Sequence, residues 1–182
     1  MFKVKVTEHI ITHCKNQIKK YDFGKRGVAD GSPEQQLTGI IGQSVVMNIF
    51  NQGLIDGSTG FDDGEDLVVN SKKIDVKTMG RKTNVRTYYT NNFMALQDKF
   101  DTYIYIFCSL NKTNQELTVC GWITKQEFKN KRSFFKEGSI RTRSDGSTFK
   151  TFADLYEIDM KALNTVENED DLIRQINLIT KA

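Results

Sequence analysis

Two apolar runs near the middle of the 182-residue chain, "TYIYIFCSL" (102–110) and "LTVCGWIT" (117–124), constrain the fold more than any other feature. Both are rich in β-branched and aromatic residues, and the polar turn "NKTNQE" joins them. Both fall well short of the roughly 18 apolar residues that span a bilayer. The pair reads as adjacent strands buried in the middle of a sheet, which needs helices or further strands to cover it.

The rest of the chain supplies that cover. Apolar positions predict a helix over Val6 to Tyr21. Ser32 as N-cap and Pro33 in the first turn start a second helix. Its apolar positions Leu37, Ile40, Ile41, Val45 and Ile49 follow helical spacing up to a stop at Gly53. Short strands are predicted around Gly57–Phe61, Asp66–Asn70 and Lys73–Met79, and "NNFMALQDKF" (91–100) reads as a helix of about three turns. Thr124 and Glu127 match a capping box that starts a short basic helix. "LYEIDM" reads as a strand and "NEDDLIRQINLITKA" as a closing helix with acids in its first turn. There is no repeat, low-complexity tract or clear linker. The expectation is a single α/β domain over residues 1–182, a mixed central sheet flanked by helices, with its core at about 33–124. An N-terminal helix and a C-terminal strand and helix extend that core.

Composition excludes several classes. Apolar residues make up 38% and charged residues 27%, ordinary for a globular protein and without a membrane span. The start "MFKVKVTEHIITHCKNQ" carries charges throughout and does not read as a signal peptide. Cys14, Cys108 and Cys120 are an odd number without a CxxC pair, which suits free buried thiols in a reducing cytoplasm. His9 and His13 are four apart but have no third ligand in view. The net charge is only +3, yet the bases are clustered. Six of them (Lys72, Lys73, Lys77, Arg81, Lys82 and Arg86) stand against Asp75 alone, and eight between Lys125 and Lys150 stand against three acids. Such runs either solvate a face or hold a polyanion, with Tyr88, Tyr89, Phe134 and Phe135 interleaved as stacking groups.

The chemistry concentrates in "FDDGEDLVVNSKKIDVKTMGR" (61–81). Its acids lack the ladder spacing of an EF-hand. In a strand, Asp75 and Lys77 share one face while Ile74, Val76 and Thr78 take the other. A two-residue loop at Ser71–Lys72, or a four-residue loop from Asn70 to Lys73, would set Asp66 across from Lys77 and diagonal to Asp75. An odd loop would break that convergence. Two carboxylates with an ammonium suit phosphodiester cleavage: Asp66 and Asp75 as hard ligands for Mg²⁺ or Mn²⁺, and the carbonyl of Val76 as a further ligand. Lys77 then orients the attacking water or stabilises the transition state. The plain alternative is a polar surface hairpin held by salt bridges.

"EDLVVNSKKIDVKT" resembles the core of the PD-(D/E)XK nuclease superfamily, which includes many restriction endonucleases and Holliday-junction resolvases. The resemblance places Asp66, Asp75 and Lys77 at the acid, hairpin and acid–x–Lys positions. It implies a restriction endonuclease-like core in αβββαβ order over about residues 33–124. In many members the preceding helix carries a metal-facing glutamate. Here "GIIGQSVVMNIFNQG" has Gln43 at that position, and Glu34 lies more than two turns earlier. The expected function is a Mg²⁺-dependent DNA endonuclease, with Lys72, Lys73, Arg81, Lys82, Arg86, Arg141 and Arg143 as backbone contacts and a homodimer as one arrangement for duplex cleavage. A nucleic-acid-binding module on the same fold without cleavage activity is the second reading. A structural or interaction protein with no nucleic-acid affinity is the third.

Overall fold

The structure, a computed structural model, describes residues 1–21, 23, 31–59, 64–142 and 146–181. The chain begins with strand β1 (Phe2–Lys5), helix α1 (Glu8–Lys20) and helix α2 (Pro33–Ile49). Strands β2 (Leu67–Val69), β3 (Lys72–Arg81), β4 (Thr90–Met94), β5 (Ile104–Asn111) and β6 (Glu116–Thr124) follow. Helix α3 (Lys125–Lys131) leads to short strands β7 (Ser133–Phe135), β8 (Ile140–Thr142) and β9 (Thr148–Lys150), then β10 (Leu155–Asp159) and helix α4 (Glu169–Lys181). No helix among the described residues is long and apolar enough to cross a membrane.

The two apolar runs are β5 and β6, antiparallel neighbours in a five-stranded sheet of order β1-β6-β5-β3-β2. Every residue of β5 is buried, as a strand covered on both faces requires. β3 runs parallel to β5, so the sheet is mixed. Ile74 and Val76 of β3 join Ile104, Ile106 and Cys108 of β5 in a core shared with α1, α2 and α4, through residues such as Ile11, Val46 and Ile176. The alternate residues Tyr105 and Phe107 turn to a second core with Phe93 of β4, Phe128 of α3 and Ile158 of β10. β4, β10 and β7 form their own three-stranded sheet over that face, and β8 and β9 form a two-stranded ribbon.

Helix α2 positions the site. Ser32 and Gln35 close a reciprocal capping box at its start, with Pro33 at the first turn. Its middle is buried continuously from Ile40 to Val46, where it is pressed onto β3. Gly42 marks the closest approach: a Cβ there would stand 1.9 Å from the Thr78 hydroxyl. Only a residue without a side chain lets the helix lie this close.

The α/β class and the mixed sheet agree with the sequence reading, whereas the αβββαβ order does not. The helix predicted over 91–100 is strand β4 followed by a single 3₁₀ turn (Ala95–Lys99). Asn91 and Phe93 are buried while Asn92 and Met94 are less so, a period of two that pairing with β10 imposes. β4 also belongs to the second sheet, so the central sheet receives its strands from elsewhere. Its outer strand β1 lies before residue 33, paired with β6 through Phe2–Val119 and Val4–Leu117. Gly57–Thr59 is a 3₁₀ turn rather than a strand, and the rest of that predicted strand, at 60 and 61, lies outside the described residues. All three cysteines are buried free thiols.

Candidate metal and phosphodiester site

The hairpin of β2 and β3 turns on Asn70 and Ser71, both with positive φ (48° and 63°), the backbone of a tight two-residue turn. The turn lies one residue earlier than the sequence suggested, so Leu67 pairs with Ile74 and Val69 with Lys72. The loop length is still even, which keeps the faces as predicted, but the register moves by two residues. Continued outward, it carries Asp66 towards Asp75 instead of Lys77.

Regular pairing ends at Asp66. Its N–H donates to the Ile74 carbonyl at 2.9 Å, and its carboxylate Oδ2 accepts the Val76 N–H at 2.5 Å, where another strand residue would have offered a carbonyl. Side chain thus replaces ladder. β2 pairs with only Lys72–Ile74 of the ten-residue β3, so beyond Asp66 this edge of β3 has no strand partner among the described residues. N–H and C=O of one strand residue point to the same edge, so the Val76 carbonyl lies on the edge that Asp66 guards.

Asp75 is 2% exposed, and its Oδ2 lies 2.6 Å from Lys77 Nζ. The two form an ion pair by distance, and Oδ2 has no hydrogen-bond partner among the described residues. Lys77 Nζ also stands 5.5 Å from the centre of the Phe93 ring. Tyr105 is the partner of Asp75 across the parallel β3–β5 pair. Burial pushes the Tyr105 phenol well above its ordinary range, and the carboxylates of Asp75 and Asp98 add to the shift. The Tyr105 hydroxyl is buried without a hydrogen-bond partner among the described residues. A carboxylate and a lysine are therefore held together against an aromatic, poorly hydrated floor.

Both groups line a cleft of about 950 Å³ together with Asp66, Val76, Gln43 and Glu34. Gln43 is buried on α2 and reaches this cleft. Glu34, at the start of α2, is exposed and ion-paired to Lys112 at 2.8 Å. The Lys112 hydrogen bond and charge hold its carboxyl below the usual range. Glu34 is therefore committed to the rim. Among the described residues the ionisable lining comprises five carboxylates (Glu34, Asp56, Glu65, Asp66 and Asp75) against Lys77 and Lys112. Among the described residues no group of three or more His, Cys, Asp or Glu is placed to hold a metal ion. A magnesium ion needs fewer protein ligands than that, since it is held by one or two carboxylates with waters and substrate oxygens. A buried carboxylate oxygen without a hydrogen bond and a neighbouring carboxylate, both hard donors, fit such an ion.

The predicted backbone contacts divide into two groups. Arg81 donates to the Thr90 carbonyl at 3.1 Å and stacks on Tyr89 at 4.6 Å, and burial lowers its pKa. Arg141 makes two hydrogen bonds to Glu157, at 3.1 and 2.8 Å, and lies 3.6 Å over Phe135. These two guanidinium groups brace the second layer, and Tyr89 and Phe135 are covered by them. Lys73 pairs with Glu65 at 3.2 Å, Lys72 lies over Tyr103, and Arg86 reaches the Tyr88 hydroxyl at 3.0 Å. Lys82 lies close enough to Glu34 to stabilise its charge. Arg143, with Asp62 and Asp63 of the acidic stretch, lies outside the described residues. His13 Nε2 is 2.7 Å from the Ile55 carbonyl, a structural bond rather than part of a metal site. Sequence reasoning did not anticipate Phe93 or Lys112 at the cleft, or Tyr105 next to Asp75 in the sheet. The sequence Asn-Asn-Phe-Met at 91–94 carries no alternation that would have signalled the first.

Comparison with protein-family models, with curated proteins and with solved structures finds no significant match to this chain.

Proposed function

We propose that the chain is a metal-dependent DNA endonuclease in which Asp66 and Asp75 hold Mg²⁺ or Mn²⁺ and Lys77 serves the hydrolytic step. One observation carries this reading: a nearly fully buried aspartate, an adjacent lysine and a second aspartate clamped to the strand edge share one cleft. The resemblance to the PD-(D/E)XK nucleases rests on these residues and their hairpin, not on the order of the elements around them.

Burying a carboxylate is costly and is tolerated only beside a compensating charge. Lys77 provides that charge, and a divalent ion bound to Asp75 would release Lys77 towards the substrate. When bound, the ion would lower the pKa of a coordinated water and neutralise charge on the phosphoryl group. Asp66 needs no rearrangement to take part, because the Val76 N–H already fixes its carboxylate. Lys77 would donate from its ammonium to a non-bridging phosphate oxygen or to the attacking water, with Phe93 and Tyr105 keeping bulk water from its flank. The excess of carboxylates among the described lining residues also argues for a cation, since a phosphodiester meeting them without one would be repelled.

The test is nicking of supercoiled plasmid DNA with and without Mg²⁺ or Mn²⁺. Wild type is expected to nick only with metal, and Asp75→Asn and Lys77→Ala to lose activity at least about a hundredfold, the scale of removing one preorganised transition-state group. Equal activity in all three proteins would remove the assignment. Gln43 at the helix position and the short Asp75–Lys77 pair favour a second reading, a DNA-binding module without cleavage. Salt-sensitive DNA binding with no nicking in either metal selects it.

A further inference from the structure

The same cleft has an apolar part, formed by Phe93 and Met94 of β4 with Phe100, Phe152 and Leu155. Phe93 is buried, but Phe152 is 67% exposed. It is the only large hydrophobic side chain among the described residues that is both exposed and part of the cleft lining. Phosphodiester chemistry alone has no use for such a ring.

Its mount is firm. Thr151 is buried, its N–H donates to the Ser139 carbonyl at 2.9 Å, and its hydroxyl donates to the Lys136 carbonyl at 2.8 Å. The same hydroxyl accepts the Ser139 N–H at 3.0 Å, and the Thr151 carbonyl accepts the Gly138 N–H at 2.9 Å. On the other side, Asp154 accepts the Glu137 N–H at 2.8 Å through Oδ1 and the Ala95 N–H at 3.0 Å through its carbonyl. Phe152 thus projects from a segment anchored at both ends, which is the arrangement that binds with little ordering cost. Lys136 and Lys150, both exposed, belong to the segments that form the mount, as do the acids Glu137 and Asp154.

We propose that Phe152 stacks on an unpaired base of the strand whose phosphodiester lies at Asp66, Asp75 and Lys77, so that the cleft acts on single-stranded DNA or on frayed and flapped strands. The proposal rests on the nuclease reading for the position of the phosphodiester. Within a duplex every base is covered by its neighbours and offers no face to a ring at the cleft. An unpaired base offers a π-face whatever its identity, so an aromatic platform selects strandedness without selecting sequence.

The experiment measures binding of a fluorescein-labelled single-stranded oligonucleotide, and of the matching duplex, to the full chain at low salt with Ca²⁺, a hard oxygen-seeking divalent ion, in place of Mg²⁺. Wild type and Phe152→Trp should bind the single strand more tightly than the duplex. Phe152→Ala should lose about five- to hundredfold on the single strand, the scale of one base–aromatic stack, and less than about twofold on the duplex. Its thermal melting should match wild type, because the ring is exposed. A preference of wild type for duplex, or unchanged single-strand binding by Phe152→Ala, overturns the proposal. Cleavage of the labelled single strand in Mg²⁺ is read separately: cleavage without a Phe152 effect on binding removes stacking and leaves the nuclease, whereas the Phe152 effect without cleavage of the single strand does the reverse.

Discussion

At Gly42 the spacing between helix and strand is set by one missing methyl group. Alanine is the better helix former by about 1 kcal/mol, so on an isolated helix Gly42→Ala would stabilise. Here its Cβ would meet Thr78 Oγ1 at 1.9 Å and Thr78 Cβ at 2.8 Å. Thr78 follows Lys77 on β3, so relief of the clash must move the strand that carries Asp75 and Lys77. Overpacking of this kind costs about 1–3 kcal/mol and outweighs the gain in propensity. Gly42→Ala is therefore expected to lower the unfolding free energy by a net of up to ~2 kcal/mol, read as a lower denaturant midpoint. Adding Thr78→Ala, which removes the nearest atom, should recover part of the loss. A Gly42→Ala protein as stable as wild type would show that the contact is slack.

The hairpin shows the same dependence at the level of an element. Face assignment was legible in the sequence because strand side chains alternate, and any even loop preserves the shared face of Asp75 and Lys77. The register was not legible: "NSKK" offers several two-residue turns, and neither of the residues that adopt positive φ is glycine. That anomaly is itself testable. A left-handed conformation costs a residue with a β-carbon about 1–2 kcal/mol, and turns of this type favour Asn-Gly. Ser71→Gly should raise stability by about 0.5–1 kcal/mol, the penalty less the entropy that glycine loses on folding, with no change in divalent-dependent nicking. Loss of nicking would mean that the Ser71 side chain serves the site. The strand β4 was misread for a related reason. "NNFMALQDKF" carries apolar residues at spacings compatible with a helix, and only its tertiary pairing with β10 selects the two-residue period. Likewise Arg81 and Arg141 looked like free cations because their partners, Thr90 and Glu157, are supplied by strands distant in sequence or by a later turn of the chain.

Across the whole molecule the site depends on the second layer being locked against the central sheet. Tyr105 and Phe93 form the floor beside Asp75 and Lys77, and Phe128 packs on both of those rings at 5.2 and 5.0 Å. Around them Asp98 and Arg132 form a charged clasp, with Arg132 Nη2 3.0 Å from Asp98 Oδ2 and its guanidinium 3.5 Å over Tyr156 of β10. Burial alone would raise the Asp98 pKa, but the hydrogen bond and charge of Arg132 outweigh it and hold the carboxyl below its ordinary 3.8. A carboxyl whose folded pKa lies below its unfolded value stabilises the fold at pH values above the unfolded pKa. That contribution fades as the pH falls below about 4 and through the folded pKa, because the native state must then take up a proton it resists. Asp98→Asn should accordingly cost about 1–2 kcal/mol at neutral pH, the scale of a charged hydrogen bond. Its stability curve should converge on that of wild type as the pH drops through the range 4 to 2. Urea midpoints measured from pH 7 to pH 2.5 decide the matter: parallel curves would show that the clasp acts through shape, and converging ones that the Arg132–Asp98 charge pair helps hold the layer behind the cleft in place.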